Sequence, residues 1–179
     1  MFPFEYAASI ASELVQILKT DCEQIEIVGS IRRLKPSVND IDIIAIPKFI
    51  EQKDESLFGE PIKINLLDRK LSDLCLDHFL FLQSNGEKIK RFNMPIGKKT
   101  ISVDLYIANE STWWTLLLIR TGSREHNIKL ASRALEFQMR LKADGSGLLS
   151  RDGKLIKIQS EQEIFQYLQV PYRQPSERN

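Results

Sequence analysis

The spacing of hydrophobic residues near the start of the chain predicts an amphipathic helix over residues 4–20. Its apolar side chains recur every three or four positions and therefore share one helical face: Phe4, Ala7, Ala8, Ala11, Leu14, Val15 and Leu18. The run IEIVGS at 25–30 follows, with a β-rich start and a glycine and a serine at its end. We therefore expect a helix that buries one face beside the first strand of a sheet.

Two later segments have the alternation that is typical of strands. The segment DIDIIAI at 40–46 alternates acidic and apolar residues, then becomes wholly apolar, and Pro47 closes it. The segment TISVDLYIA at 100–108 places Ser102, Asp104 and Tyr106 on one face, opposite the apolar residues Ile101, Val103, Leu105 and Ile107. The first pattern suits a central strand whose leading residues emerge at a site.

The rest of the chain mixes extended and helical patterns: strands at 64–67 and 90–96, and helices at 71–83, 110–119 and 125–141. The last two helices are separated by the break Thr121-Gly122-Ser123. The tail after Gly145 carries short β-like pieces and then the helix SEQEIFQYL, which opens with a capping-box pattern of Ser160 and Glu163. Strands and helices in this order predict an α+β fold.

Composition and charge narrow the class of protein. The chain has 179 residues, of which 42% are hydrophobic and 27% charged, as in ordinary globular proteins. It has no apolar run near the ~20 residues that span a bilayer. Its start lacks the basic region of a signal peptide, so we expect none. We therefore expect a cytoplasmic or nucleoid-associated monomer that is neither secreted nor bound to membranes. Residues 1–119 carry 14 Lys and Arg against 17 Asp and Glu, and residues 120–179 carry 11 against 7. This distribution fits a front that holds cations and a back that contacts phosphates.

The aspartates of the two strand segments are the candidate metal ligands. Asp40 and Asp42 are two residues apart on a strand and therefore point to the same face. Adjacent carboxylates repel each other, and a divalent cation between them offsets the repulsion. Oxygen ligands suit Mg²⁺. Asp104, on the other strand, either faces solvent or meets this pair.

A glycine-containing turn precedes the first two aspartates. In VGSIRR, Gly29 allows close approach of the backbone, and the amides after it can surround a phosphate. Arg32 or Arg33 can then pair with the phosphate oxygens. Gly-Ser followed ten residues later by DID and then by a strand aspartate is a specific combination.

The chain resembles the nucleotidyltransferase superfamily, and more closely the DNA polymerase X family, which includes DNA polymerase β. The resemblance rests on five segments: GSIRR (29–33), DID (40–42), VDLYI (103–107), TGSREHN (121–127) and VPYRQPSER (170–178). It implies a nucleotidyltransferase palm, a mixed β-sheet with helices on one face, in residues 1–119. A small α/β thumb subdomain follows in 120–179. The resemblance leaves no room for the family's N-terminal DNA-binding and lyase domain, so a minimal palm-plus-thumb core is expected.

The resemblance also implies roles for the acidic residues. Asp40 and Asp42 would ligate two Mg²⁺ ions, with Mn²⁺ as a plausible substitute, and Asp104 would ligate the catalytic ion and accept the proton of the primer 3′-hydroxyl. One ion lowers the pKa of that hydroxyl, and the other binds the triphosphate and offsets charge on the departing pyrophosphate.

Further residues match nucleotide-binding positions of the family. The glycine turn contributes Gly29, Ser30 and Arg33, and Asn39 stands where the family has a glycine. Thr121, Gly122 and Ser123 match a turn beside the sugar, with a cis peptide after the glycine, and Asn127 matches a contact to the incoming base. Arg124, Lys129 and Arg133 are candidate DNA contacts, as is the basic cluster KIKR (88–91).

Three departures from the family bear on specificity. Ser102 replaces a basic residue that often supports the third aspartate. Ile119 and Arg120 replace an aromatic pair, which puts discrimination against ribonucleotides in doubt. Ala131 stands where DNA polymerase β has an arginine that reads the template base pair. We therefore expect modest fidelity.

The leading expectation is transfer of a nucleotide from a (deoxy)nucleoside triphosphate to a nucleic-acid 3′-hydroxyl, as template-directed gap filling in DNA repair on primer-template or gapped DNA. A template-independent or RNA-directed terminal transferase is the first alternative. A catalytically degenerate relative that only binds nucleic acid is the second. A small-molecule or protein nucleotidyltransferase would share Gly-Ser and DID, but would not be expected to show TGSREHN.

Overall fold

The computed structural model describes residues 1–52 and 61–179. In chain order its elements are β1 (Phe2–Pro3), α1 (Phe4–Leu18), β2 (Cys22–Ile27), α2 (Gly29–Arg32), β3 (Ser37–Val38), β4 (Asp40–Pro47), β5 (Phe49–Gln52), β6 (Ile62–Asn65), α3 (Leu66–Leu76), β7 (Phe81–Asn85), β8 (Ile89–Ile96), β9 (Lys99–Ile107), α4 (Trp113–Thr121), α5 (Arg124–Glu136), β10 (Arg140–Leu141), β11 (Leu148–Leu149) and α6 (Glu161–Tyr167). The predicted α+β fold is confirmed. None of the described helices combines the length and apolar character needed to span a bilayer.

The central sheet has five strands in the order β2-β4-β9-β8-β7. Strands β4 and β9 run parallel, and the other neighbouring pairs are antiparallel. The parallel pairing sets Asp40 opposite Ser102 and Asp42 opposite Asp104. Residues with the same parity share a face of a strand, so the acidic residues of β4 and β9 lie on one face of the sheet.

The opposite face of the sheet carries the main hydrophobic core. Apolar residues of β4 and β9, including Ile41, Ile43, Val103 and Leu105, are fully buried there. They belong to one cluster with α1 and α3, which contribute Ala7, Ala11, Leu14, Leu18, Leu67, Leu71 and Leu74. On the acidic face, α4 packs against Ile44 and Tyr106 through Trp113, Leu116 and Leu117. The core therefore fixes the strands from behind, and α4 covers only part of the face that carries the aspartates.

A second hydrophobic core lies towards the C-terminus. It joins the end of α4 to α5, the hairpin of β10 and β11, and α6: Leu118, Ile119, Leu130, Ala134, Leu141, Leu148, Ile158, Ile164, Phe165 and Leu168. Helix α6 begins after Ser160, whose hydroxyl accepts a hydrogen bond from the Glu163 amide at 3.2 Å. The Glu163 carboxylate accepts from the amide of Gln159 instead of that of Ser160. The second core agrees with a separate thumb, although the boundary at 119/120 stays a prediction.

Several element boundaries differ from those predicted. The helix expected at 71–83 begins earlier and ends at Leu76, because Asn65 caps its start by accepting from the Asp68 amide. It ends in a turn where His78 has a positive φ of 56°. Residues 81–85 then form β7 at the edge of the sheet. The helix expected at 125–141 ends at Glu136, and Gln138 has a positive φ of 56° before the following hairpin.

Candidate active site

Two of the three predicted aspartates meet across neighbouring strands. Asp42 on β4 is the register partner of Asp104 on β9. The hydroxyl of Tyr106, two residues after Asp104, lies 3.4 Å from Asp42 Oδ1 and 3.2 Å from Asp104 Oδ2. Asp40 is exposed at the start of β4, on the same face as Asp42. The structure therefore brings Asp42 and Asp104 together and places Asp40 on the same face of the sheet, while the shared metal site of all three stays a prediction.

The electrostatics of Asp42 indicate an excess of negative charge at this place. Burial is the largest cause that raises its pKa, followed by the charges of Asp40 and Asp104. Arg33 and the hydrogen bond from Tyr106 act in the opposite direction, and the net pKa is about 7. An ionised Asp42 therefore lacks enough nearby positive charge within the protein.

The glycine turn lies directly against Asp42. Gly29 has a φ of 62°, and a Cβ atom added there would lie 1.9 Å from Asp42 Oδ2. The amide of Val28 also donates to the carbonyl of Asp42 at 2.8 Å. The positive φ and the lack of room for a Cβ atom both require glycine at position 29. The Gly-Ser turn and the acidic strand therefore form one unit.

The two arginines after this turn have different partners. Arg32 donates to both carboxylate oxygens of Glu161, at 3.0 and 2.7 Å, and to the Thr121 hydroxyl at 2.7 Å. Arg178, which is fully buried, also pairs with Glu161. Arg32 is therefore occupied in joining α2 to the start of α6.

Arg33 instead faces the acidic residues. Its Nη1 donates to the carbonyl of Thr121 at 2.6 Å, and its buried Nε has no partner among the described residues. Burial lowers the pKa of Arg33, while the charges of Asp42 and Asp40 act to raise it. The residue pattern alone allowed either arginine and the family resemblance implied Arg33, which is the one that the structure places beside the aspartates. Ser30 adds a buried hydroxyl without a hydrogen-bond partner in the described part of the chain.

Asp104 is supported by a residue that the sequence analysis placed elsewhere. Arg91 on β8 lies opposite Asp104 in the register, and its Nε is 3.2 Å from Asp104 Oδ1. Arg91 therefore supplies the positive charge beside Asp104 that a basic residue at position 102 would supply in the family. Positions 91 and 104 are equally distant from the turn at Gly97-Lys98, so the predicted hairpin could have paired them. Lys90 is buried and 2.6 Å from Asp68 Oδ1, so within the KIKR cluster this residue is not available for a template contact.

The Thr121-Gly122-Ser123 turn is held mainly by internal contacts. Thr121 is fully buried. Ser123 caps α5 by accepting from the His126 amide at 3.2 Å, and its own amide donates to the carbonyl of Arg178 at 2.9 Å. A side chain at Gly122 would meet Asn127 Oδ1 at 2.3 Å. The described peptide bonds are all trans, so the expected cis peptide after Gly122 is absent.

The remaining nucleotide candidates are Asn39 and Asn127. Asn39 is exposed immediately before Asp40. Asn127 donates through Nδ2 to the carbonyl of Ile119 at 2.8 Å, and its buried Oδ1 has no partner within residues 1–52 and 61–179. The Nδ2 group of Asn127 is therefore bound to α4. For both asparagines the contact with a nucleotide stays a prediction.

The predicted DNA contacts divide into free and occupied cations. Arg124 and Lys129 are exposed on α5, and neither has an ion-pair partner among the described residues. Arg133 donates to the carbonyl of Leu168 at 3.0 Å, pairs with Glu136 and lies over the Phe137 ring. Arg133 therefore holds α5 to the end of α6, and its contact with DNA stays a prediction.

The candidate side chains have the donor atoms that a magnesium site needs, but they are not arranged around a common point. Within the described residues, no group of three or more Asp, Glu, His and Cys side chains is arranged so that it could hold an ion. Arg91 and Tyr106 contact carboxylate oxygens of Asp104 and Asp42 that a cation would need. The three carboxyl groups nevertheless offer only oxygen donors, which Mg²⁺ prefers, and a cation would relieve the repulsion by Asp40 and Asp104 that adds to the effect of burial on the pKa of Asp42.

Comparison with known proteins shows which proteins the chain is similar to. Residues 116–179 match the family model described as DNA polymerase beta thumb. The chain is 28% identical to a DNA nucleotidylexotransferase of Monodelphis domestica, over 87% of this chain and 36% of that protein. A DNA nucleotidylexotransferase of Eulemur macaco gives the same three values. The DNA polymerase/3′-5′ exonuclease PolX of Bacillus subtilis (strain 168) is 28% identical, over 99% of this chain and 28% of that protein. The chain thus spans about a third of the length of these relatives.

Proposed function

Because this chain belongs to the DNA polymerase X family, we propose that it transfers a nucleotide from a nucleoside triphosphate to the 3′-hydroxyl of DNA. The observation that carries the proposal is the meeting of Asp42 and Asp104 beside Gly29. This pair of carboxyl groups lies against a glycine turn that can approach phosphates. The relatives, whose names describe enzymes of DNA synthesis, support the same chemistry.

The aspartates would hold Mg²⁺, with Mn²⁺ as a substitute. Asp40, Asp42 and Asp104 would be the ligands of these ions. The bound ions supply activation of the 3′-hydroxyl and offset charge on the triphosphate. Metal dependence is supported by the oxygen-only donor set and by the raised pKa of Asp42.

The protein's own groups would bind the substrates and move the proton. Arg33 lies beside the aspartates, and its partly unpartnered guanidinium can pair with triphosphate oxygens. Asp104 would accept the proton of the 3′-hydroxyl. Arg91 contacts Oδ1 of Asp104, whereas Tyr106 contacts Oδ2, and Arg91 thereby orients the Asp104 carboxylate for this role. Lys129 and Arg124 would contact the phosphates of the DNA.

We propose template-directed gap filling in repair as the specific reaction. The runner-up is template-independent addition, and two observations favour keeping it. Two of the relatives are named DNA nucleotidylexotransferase. In addition, the aromatic pair that the resemblance implies at positions 119 and 120 is missing. Arg120 stands in place of one of its members and lies over the ring of Tyr106, 4.1 Å from the ring centroid.

A primer-extension assay tests both reactions. A labelled primer is supplied as a single strand, as a recessed end and as a gap, with Mg²⁺ or Mn²⁺ and one deoxynucleotide or ribonucleotide at a time. Extension that follows the template base on gapped DNA supports gap filling. Extension of the single strand with any nucleotide supports the runner-up.

Active-site and surface variants serve as matched controls. Asp42→Asn and Asp104→Asn should each reduce extension by at least a thousandfold, whereas Asp152→Asn, on an exposed turn, should not. Activity that survives in either active-site variant would refute the proposed roles. No extension by the wild type on any substrate would refute the reaction itself.

A further inference from the structure

Tyr106 lies between two of the proposed metal ligands. It follows Asp104 by two residues on β9, so both side chains share the acidic face of the sheet. The residue is 8% exposed, and its single hydroxyl lies within hydrogen-bonding range of Asp42 Oδ1 and Asp104 Oδ2. A phenol has one hydrogen to donate, so the two carboxylates share it.

Arg120 fixes the position of this phenol. It extends from α4, and its guanidinium carbon is 4.1 Å from the centroid of the Tyr106 ring. Its Nη2 also reaches the carbonyl of Asp144, at 3.5 Å. A cation over the face of a phenol attracts the ring electrostatically and withdraws electron density, which makes the hydroxyl a better donor. The hydroxyl is thereby held towards the two aspartates.

We propose, on the basis of the proposed function, that the hydroxyl of Tyr106 competes with a divalent cation for the facing oxygens of Asp42 and Asp104. Two neighbouring carboxylates repel each other, and either a shared hydrogen or a cation relieves the repulsion. Both require lone pairs on the same side of the same oxygens. Cation binding therefore displaces the phenol or weakens its hydrogen bonds.

The consequence is that the tyrosine sets an upper limit on metal affinity. Tyr106→Phe keeps the buried ring and removes only the competing hydroxyl. If the lost hydrogen bond has ordinary net strength, the dissociation constant for the cation should fall about fivefold. A residue that merely shaped the core would leave this constant unchanged. One that preorganised the carboxylates would make binding weaker on its removal.

The experiment measures Mn²⁺ binding directly, by electron paramagnetic resonance of the free ion, without DNA or nucleotide. The wild type is compared with Tyr106→Phe and with Tyr167→Phe, a matched control at an exposed position on α6. We expect about fivefold tighter binding in Tyr106→Phe alone. An equal or larger dissociation constant in that variant would overturn the proposal.

A second pair of variants tests the part of Arg120. Arg120→Gln removes a positive charge, so it tightens cation binding by simple electrostatics in any background. If Arg120 also acts through Tyr106, its effect in the wild type should exceed its effect in Tyr106→Phe. Equal effects in both backgrounds would overturn this part of the proposal, and the comparison needs no measurement of activity.

The same titrations separate this inference from the proposed function. Mn²⁺ binding that is lost in Asp42→Asn but unchanged in Tyr106→Phe refutes the competition and leaves the metal site standing. A wild-type protein that binds no Mn²⁺ refutes both.

Discussion

Replacing Asp42 by asparagine should stabilise the fold while it removes the proposed activity. Burial and the charges of Asp40 and Asp104 raise the pKa of Asp42 from 3.8 to about 7. The unfolded chain ionises this group near pH 4, whereas the native protein keeps it protonated up to about pH 7. The contribution of Asp42 to stability is therefore greatest below pH 4. It is lost as the pH rises towards 7, and it changes little above that.

The size of the effect follows from the same pKa values. A pKa difference of about three units, at about 1.4 kcal/mol per unit, corresponds to about 4 kcal/mol of native-state destabilisation at pH 8. Because the three carboxylates titrate together, part of this cost passes to Asp40 and Asp104. We therefore expect Asp42→Asn to raise the free energy of unfolding by about 2 to 4 kcal/mol at pH 8 and by little at pH 4. The amide can still accept from Tyr106 and can donate to a neighbouring carboxylate.

Urea unfolding in the presence of EDTA, followed by tryptophan fluorescence at pH 4.5, 6 and 8, measures this difference. The midpoint should rise in Asp42→Asn without a change of slope, and the rise should grow with pH. Asp152→Asn, on the surface, should show no such trend. Added Mg²⁺ should stabilise the wild type by mass action and narrow the gap. A variant that is no more stable than wild type at pH 8, or a gain independent of pH, would refute the reasoning.

Three further outcomes are expected. Gly29→Ala should cost about 2 to 4 kcal/mol and abolish extension, since it combines a left-handed backbone with a clash against Asp42; normal urea unfolding would contradict this. Glu161→Gln should cost about 2 to 4 kcal/mol because it leaves two arginines without their carboxylate, and an unchanged urea midpoint would exclude that role. Lys129→Ala should make the negative slope of log DNA affinity against log salt shallower by about 0.9, because one phosphate contact is lost. Arg133→Ala should lower stability and leave this slope unchanged. Equal slopes in the two variants would rule out this distinction.

The parts of the fold that the sequence predicts well are those with a strong local period. The alternation in 100–108 places Asp104 and Tyr106 on the face they occupy, and the helical repeat of 4–20 gives α1 to within two residues. The break at Thr121-Gly122-Ser123 is correct because the capping serine and the glycine carry local information.

The parts that it misses depend on contacts between distant residues or on unusual backbone angles. Strand β7 has exposed residues throughout, so it lacks a burial pattern and owes its conformation to pairing with β8. Helix α3 is followed by a turn in which His78 has a positive φ; histidine adopts that angle more often than most residues, but still too seldom for the sequence to predict it. The contact of Tyr106 with Asp42 crosses from one strand to the next and requires the parallel register of β4 and β9.

The two arginines at the end of α2 show how the acidic site and the thumb are joined. Arg32 and Arg33 are consecutive, and both reach Thr121, one at its hydroxyl and the other at its carbonyl. Arg32 also continues to Glu161 at the start of α6. A triphosphate that paired with Nη1 of Arg33 would compete with the Thr121 carbonyl for that donor. Nucleotide binding through this atom would therefore loosen one of the contacts that hold the turn, while Arg32 retained the other.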